Sequence, residues 1–371
     1  MSDFIPLSAP NLSGNELEYL IDAVKSGWIS TSGGRISEFE EKLAQYLKVK
    51  KVAAIQSGTA GLHLAMILSG VGHGDEVIVP TLTFIAAVNP ARYVGAEPIF
   101  MDCDDYLCLD VEKVAEFCET ECDFANGRLV NRATNKTIKA VVAVHIFGNM
   151  VDMYALMALA QKYNLKVIED ATEALGSYHR ETGDFTGTIG DFGVYSFNGN
   201  KIITTGGGGA ITARNSDLVD RAKYLANQAK DDDVKFVHDE IGYNYRMTNL
   251  QAVVGIAQLE QLEQFIATKE RNYNAYKAAS LNLLDFQDSV RSNRWFYSLV
   301  TDKRDELLDK LKANGIQSRP IWNLIHTLRP YKHCQSYMLT KAVEYWQKLV
   351  NIPCSTTLTT REIDYIVSKI L

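Results

Sequence analysis

The chain of 371 residues is long enough for a large domain with a smaller companion, and its 46% apolar and 22% charged residues suit a folded protein with a sizeable core. A formal net charge of -7 and the lack of a basic stripe argue against nucleic acid as a partner, while local donors could still bind anionic small molecules. No apolar run reaches the roughly 18 residues that span a bilayer, and the opening residues 1–6 lack the basic and apolar parts of a signal peptide, so a cytoplasmic location is expected. Of six cysteines, Cys103, Cys108, Cys118 and Cys122 lie close together. With no C-x-x-C pair and no histidine nearby they read as reduced thiols, not as a metal site.

Short apolar runs alternate with helical patterns along the first two-thirds. Residues 51–55 read as a strand, 59–68 as a helix, 76–80 as a strand, 84–93 as a helix and 98–101 as a strand. The polar stretch 121–137 reads as a surface insertion. Then come a β-rich run at 139–145, a helix over 153–163, a strand at 165–168 and a strand-like run at 192–197. This alternation implies a mostly parallel, doubly wound α/β sheet. A long helical stretch runs from Leu250 towards Tyr276, and the remainder reads as a smaller α+β domain. The expected division is 1–255, an N-terminal arm and large domain, and 256–371, a small C-terminal domain.

Sites in open α/β sheets gather at the carboxyl ends of the strands. After the first strand, Ser57-Gly58-Thr59-Ala60 opens a helix, and is either an anion cup of free N–H groups or an ordinary cap by Ser57. It lacks both the nucleoside-triphosphate loop and the dinucleotide fingerprint. After the second strand stands Phe84, either a ring that stacks on a planar ligand or a core residue. The strand at 165–168 leads into Glu169-Asp170-Ala171-Thr172-Glu173. A carboxylate there needs a partner, either a structural cation or a protonated ring nitrogen. Last, Ser196 to Thr205 carries Lys201 between a strand and four glycines, Gly206 to Gly209, which permit close backbone approach to a ligand.

Together these features resemble the DegT/DnrJ/EryC1/StrS family of sugar aminotransferases, which share the aspartate aminotransferase-type fold (fold type I of the pyridoxal phosphate enzymes). The resemblance covers nearly the whole chain, from Gly27-Trp28-Ile29-Ser30 through Pro80 to Ala86, His145 to Asn149, Glu169 to Ala174, Tyr195 to Gly209 and Gly242 to Met247, to Ser318-Arg319-Pro320-Ile321-Trp322. It implies pyridoxal 5'-phosphate as cofactor, with Lys201 the Schiff-base lysine, Asp170 the partner of the pyridine nitrogen and Phe84 the stacking ring. Ser57, Gly58, Thr59 and Ser196 correspond to phosphate contacts, and Asn244 to a phosphate contact from the partner subunit of a homodimer with shared active sites. Glu173 stands where the family has a polar residue near the reacting end of the cofactor. Because Lys201 is retained where dehydrating relatives have histidine, transamination is expected.

The resemblance further implies L-glutamate as donor and a nucleotide-linked keto sugar as acceptor. The stretches 196–205, 244–246 and 292–295 look closest to the branch that aminates UDP-4-keto-6-deoxy-N-acetylglucosamine at C4, towards bacillosamine or legionaminic acid. A GDP- or dTDP-linked keto sugar is the alternative acceptor, and a non-catalytic regulator on the same fold is the alternative function. Lys230, Arg246 and Arg319 are candidates for the diphosphate, or else surface ion pairs. Lys230 departs from relatives that carry arginine, and lysine meets phosphate as a point charge instead of a fork. Trp28, Ser30 and His326 are candidates for the sugar pocket, with a structural hydrogen bond the other reading of His326.

Overall fold

A computed structural model describes residues 4–232 and 234–371; the opening residues 1–3 lie outside it. Its main sheet contains β1 (Ala53–Ile55), β2 (Glu76–Pro80), β3 (Glu97–Met101), β4 (Lys136–Val144), β5 (Lys166–Asp170), β6 (Phe192–Ser196) and β7 (Gly209–Ala213). The order across the sheet is β1-β7-β6-β5-β4-β2-β3. The inner strands β6, β5, β4, β2 and β3 are mutually parallel, whereas β7 runs antiparallel to both β6 and β1. The alternation of strand and helix therefore gives the expected mostly parallel sheet. Its central strands are buried on both faces, as their nearly continuous apolar sequences require.

Helix starts follow their caps. Ser57 accepts from the N–H of Ala60 ahead of Gly58–Leu68, and Asp152 from that of Ala155 ahead of Met153–Tyr163. Thr248 and Gln251 form a reciprocal capping box at Asn249–Leu259.

Three segments differ from expectation. Residues 84–93 form a 3-10 turn, Ile85–Ala87, and then a short helix, Asn89–Tyr93, because Pro90 lacks the N–H that one continuous helix needs and suits a new first turn. The polar stretch 121–137 is a hairpin, Cys122–Ala125 with Arg128–Asn131, whose second strand pairs antiparallel with β4 and extends the sheet. Gly127 at its tip has φ +72, which glycine adopts without strain. The long stretch after Thr248 is two helices, Asn249–Leu259 and Leu262–Ala278, broken at Glu260 and Gln261. Beside that break Gln258 and Gln261 both donate to Glu16, tying in the N-terminal helix Glu16–Ser26.

Beyond these helices a small antiparallel sheet joins Tyr297–Val300, Leu349–Ile352 and Arg319–Pro320. One apolar cluster continues from the main sheet through Phe147 and Trp295 into Leu324 and Val350, so the carboxyl ends of the strands face side chains from the C-terminal part. Among the described residues no helix is long and apolar enough to cross a membrane. All six cysteines are free, and the four that cluster in sequence are buried.

Candidate active site

A cavity of about 820 Å³ opens at the carboxyl ends of β1, β2, β5 and β6 and is roofed by residues from the C-terminal part. It gathers Ser57, Gly58, Thr59, Phe84, Asp170, Glu173, Ser196, Lys201 and Arg319 from distant parts of the sequence.

Asp170 and Glu169 are neighbours on β5, and the period of two sends them to opposite faces. Glu169 points away from the cavity. It accepts from His145 Nε2 at 2.9 Å and from the N–H groups of Gly187 and Ile189 at 2.8 and 2.7 Å. His145 Nδ1 accepts from the N–H of Val151, which leaves its proton on Nε2 for Glu169. Glu169 is thus the structural acid. Asp170 faces the cavity at 3% exposure, with Oδ1 accepting the N–H of Thr172 at 3.1 Å. Burial pushes the Asp170 carboxyl above its usual range, against the hydrogen bonds from Thr172 and the charge of Lys201. A buried carboxylate so placed calls for a cationic partner from the cavity.

Lys201 follows the turn after β6. Burial lowers the affinity of its amine for a proton, while Glu173 and then Asp170 act in the opposite sense. Glu173 Oε1 lies 4.0 Å from Lys201 Nζ, and its Oε2 accepts the N–H of Phe147 at 3.1 Å. Burial raises the Glu173 carboxyl to about 7, so it exchanges a proton readily near neutrality.

The first turn of Gly58–Leu68 presents N–H groups without helical partners. A Cβ on Gly58 would stand 2.9 Å from Thr172 Cγ2 and 3.0 Å from Ser196 Cβ. One on Gly209 would stand 2.6 Å from the carbonyl carbon of Ser57. Glycine at these two positions lets β7 and the Ser57–Gly58 turn close around a small anion. Phe84 is 52% exposed at the cavity wall, its ring centroid 6.4 Å from that of Trp322, so a face is open to a flat ligand.

An anion cup, an exposed aromatic face, a buried carboxylate and a shielded amine are the four contacts that pyridoxal phosphate requires for its phosphate, ring face, ring nitrogen and aldehyde. The residues fit that cofactor. Residues 10–371 match the DegT/DnrJ/EryC1/StrS aminotransferase family. The chain belongs to this family. It is a pyridoxal phosphate-dependent sugar aminotransferase. It is 37% identical over 384 residues to a GDP-perosamine synthase of Caulobacter vibrioides, covering 100% of this chain and 99% of that protein. A putative pyridoxal phosphate-dependent aminotransferase, EpsN of Bacillus subtilis, is 38% identical over 87% of this chain and 82% of its own length. Among solved structures, a DegT DnrJ EryC1 StrS aminotransferase from Brucella abortus superposes with a TM-score of 0.88 at 27% identity, covering 96% of this chain and 94% of that one.

The other expected site residues of this aminotransferase stand outside the cavity of their own chain. Asn244 is exposed beside Asn227, and Arg246 donates to Asn227 Oδ1 at 3.2 Å. Trp28 lines a separate hollow with Arg35 and Asn249, and the Ser30 carbonyl accepts the N–H of Asn249. Lys230 is half-buried and away from the cavity wall. His326 Nδ1 is bonded to Thr81 Oγ1 at 2.7 Å.

Several cavity residues were not singled out from sequence. Leu7 and Ser8 reach the wall because the N-terminal segment folds back, pairing Ile5 with Ile316 and giving the N–H of Leu7 to Gln317. Trp295 lies inside a stretch that carried the family resemblance but had no role there.

Proposed function

We propose that this aminotransferase moves the amino group of L-glutamate to the keto carbon of a GDP-linked sugar, with a GDP-amino sugar of the perosamine type as product. The 37% identity to a GDP-perosamine synthase across essentially the whole of both chains carries this reading, and it favours the GDP-linked alternative over the UDP-linked N-acetyl sugar suggested by short sequence stretches. Two copies of the chain form the working unit. Asn244, Arg246, Trp28 and Ser30 then serve the cavity of the partner copy, which accounts for their placement outside their own.

Bound pyridoxal phosphate supplies an aldehyde that accepts the amino group and a protonated ring that draws electrons from the adjacent carbon. Lys201 would hold the cofactor through its amine, and as a largely desolvated amine it would carry the proton taken from the α-carbon of the donor. Glu173, its carboxyl raised by burial to about 7 and lying 4.0 Å from Lys201 Nζ, would take up or release a proton beside that amine. Of the residues that line the cavity, Asp170 would keep the ring nitrogen protonated, Phe84 would cover one ring face, and the Ser57–Thr59 turn with Ser196 would anchor the phosphate. Arg319 on the cavity wall attracts the carboxylate of glutamate or the diphosphate of the sugar.

The test is an assay of purified, cofactor-loaded enzyme with glutamate and a panel of GDP-, UDP- and dTDP-linked keto sugars. Fastest turnover of a GDP-linked acceptor is expected. Preference for the UDP-linked N-acetyl sugar would overturn the nucleotide choice. A mixture of Lys201→Ala and Arg246→Ala chains tests the pairing: a fraction of turnover with the wild-type KM for the sugar, present in neither variant alone, is expected, and its absence would sink the shared site.

A further inference from the structure

Trp295 holds together the parts of the site that must exchange protons. Its indole Nε1–H donates to the carbonyl of Asn200, the residue before the catalytic lysine, at 2.7 Å. Lys201 Nζ lies 4.3 Å from the centroid of the same ring. The backbone N–H of Trp295 donates to the carbonyl of Phe147 at 3.0 Å, and Phe147 in turn gives its own N–H to Glu173 Oε2. Phe147 does this from the left-handed region, at φ 56, a conformation costly for a bulky side chain and retained where surroundings enforce it. One tryptophan is therefore registered against both Lys201 and Glu173.

The tryptophan is itself fixed. It is 2% exposed, and its ring stacks on Phe296 at 4.0 Å. Lys269, 3% exposed, donates to its carbonyl at 2.7 Å. The same Nζ also donates to Cys354 Sγ at 3.4 Å. Burying a lysine is costly, and its short contact with the Trp295 carbonyl gives the burial a purpose.

We infer that Trp295 is a positioning residue for the proton transfers of Lys201. When the amine is released from the cofactor, the indole face holds it within reach of Glu173, and the indole N–H fixes the backbone from which it swings. The face of an aromatic ring favours the ammonium form, so Trp295 offsets part of the desolvation of Lys201. The catalytic lysine, carried by the main sheet, is thus aimed by a residue that leads into the small C-terminal sheet.

The test compares Trp295→Leu, which loses face and donor, with Trp295→Phe, which keeps a face alone. In cofactor-free protein, the pH dependence of Lys201 acylation by acetic anhydride is followed by peptide mass. The midpoint is expected to fall by about half to one pH unit in Trp295→Leu and to return most of the way in Trp295→Phe. With glutamate, kcat of the donor half-reaction is expected to fall about tenfold in both variants, with KM changed less than about twofold. The kinetic arm rests on the glutamate reading above; the labelling arm does not, so the two can fail separately. An unshifted midpoint in folded Trp295→Leu would overturn the inference. If that variant does not fold, Trp295→Phe decides alone: a reduced kcat with near-normal KM, midpoint and cofactor affinity supports the role, and wild-type kcat or joint loss of kcat and cofactor affinity overturns it.

Discussion

The cavity around Lys201 and the face that carries Trp28, Asn244 and Arg246 are built on different terms. The first is gathered within one chain: anion cup, ring face, carboxylate and amine come from loops at the ends of adjacent strands. The second presents its groups outward, with Trp28 59% exposed and Arg246 turned to Asn227. In the proposed dimer, chemistry on the cofactor depends on buried, pre-set geometry, whereas the outer face depends on the copy brought against it. Changes in the first region should act on kcat and cofactor binding, and changes at Trp28 and Arg246 on KM for the sugar.

The largest effect belongs to Lys201→Ala. Turnover should fall by about 10⁴-fold while circular dichroism stays native, because anchor and proton carrier are lost together. Residual turnover within tenfold of wild type would place the chemistry on another group.

Glu173→Gln should reduce kcat by about 10- to 100-fold and remove a titration near neutrality from the pH–rate profile. It also has a stability signature in cofactor-free protein. The folded carboxyl is raised from 4.5 to about 7, so the native state binds the extra proton in that interval and loses stability as pH rises through it. Denaturant midpoints of the wild type should decline relative to Glu173→Gln between pH 4.5 and about 7, and parallel profiles would show that Glu173 does not titrate there.

Gly58→Ala should weaken cofactor affinity by roughly tenfold, since its Cβ would press on Thr172 and Ser196 at the phosphate cup. Spectrophotometric titration with pyridoxal phosphate measures this, and unaltered affinity would move the phosphate elsewhere. The smallest effect is expected from Arg246→Ala: KM for the nucleotide sugar up by about three- to tenfold, with the donor half-reaction untouched. A loss in the donor half-reaction would erase the contrast between the two regions.

The sequence made the cofactor end legible because each group follows directly on a strand, and strand ends show in the apolar pattern. Gly58, Asp170 and Lys201 could be placed by local order alone. Other parts depend on long-range contacts that no local pattern carries. The fold-back that brings Ser8 to the cavity rests on pairing Ile5 with Ile316, and the role of Trp295 on a hydrogen bond across 95 positions. The hairpin at Cys122–Asn131 was hidden by its polarity, since at the sheet's margin the alternating strand pattern is weak: only Cys122, Leu129 and Asn131 in its strands are buried. The break after Leu259 lies within an uninterrupted helical pattern and shows only in the folded chain.

The N-terminal strap that carries Leu7 and Ser8 has a practical consequence. It touches the wall of the cavity, yet residues 4–9 precede the span that matches the family. Ile5 and Leu7 are buried in the same apolar cluster as the main sheet, and the Leu7 carbonyl accepts the N–H of Cys354. The strap is thus a fixed part of the cavity wall, and a poor place to fuse a purification tag.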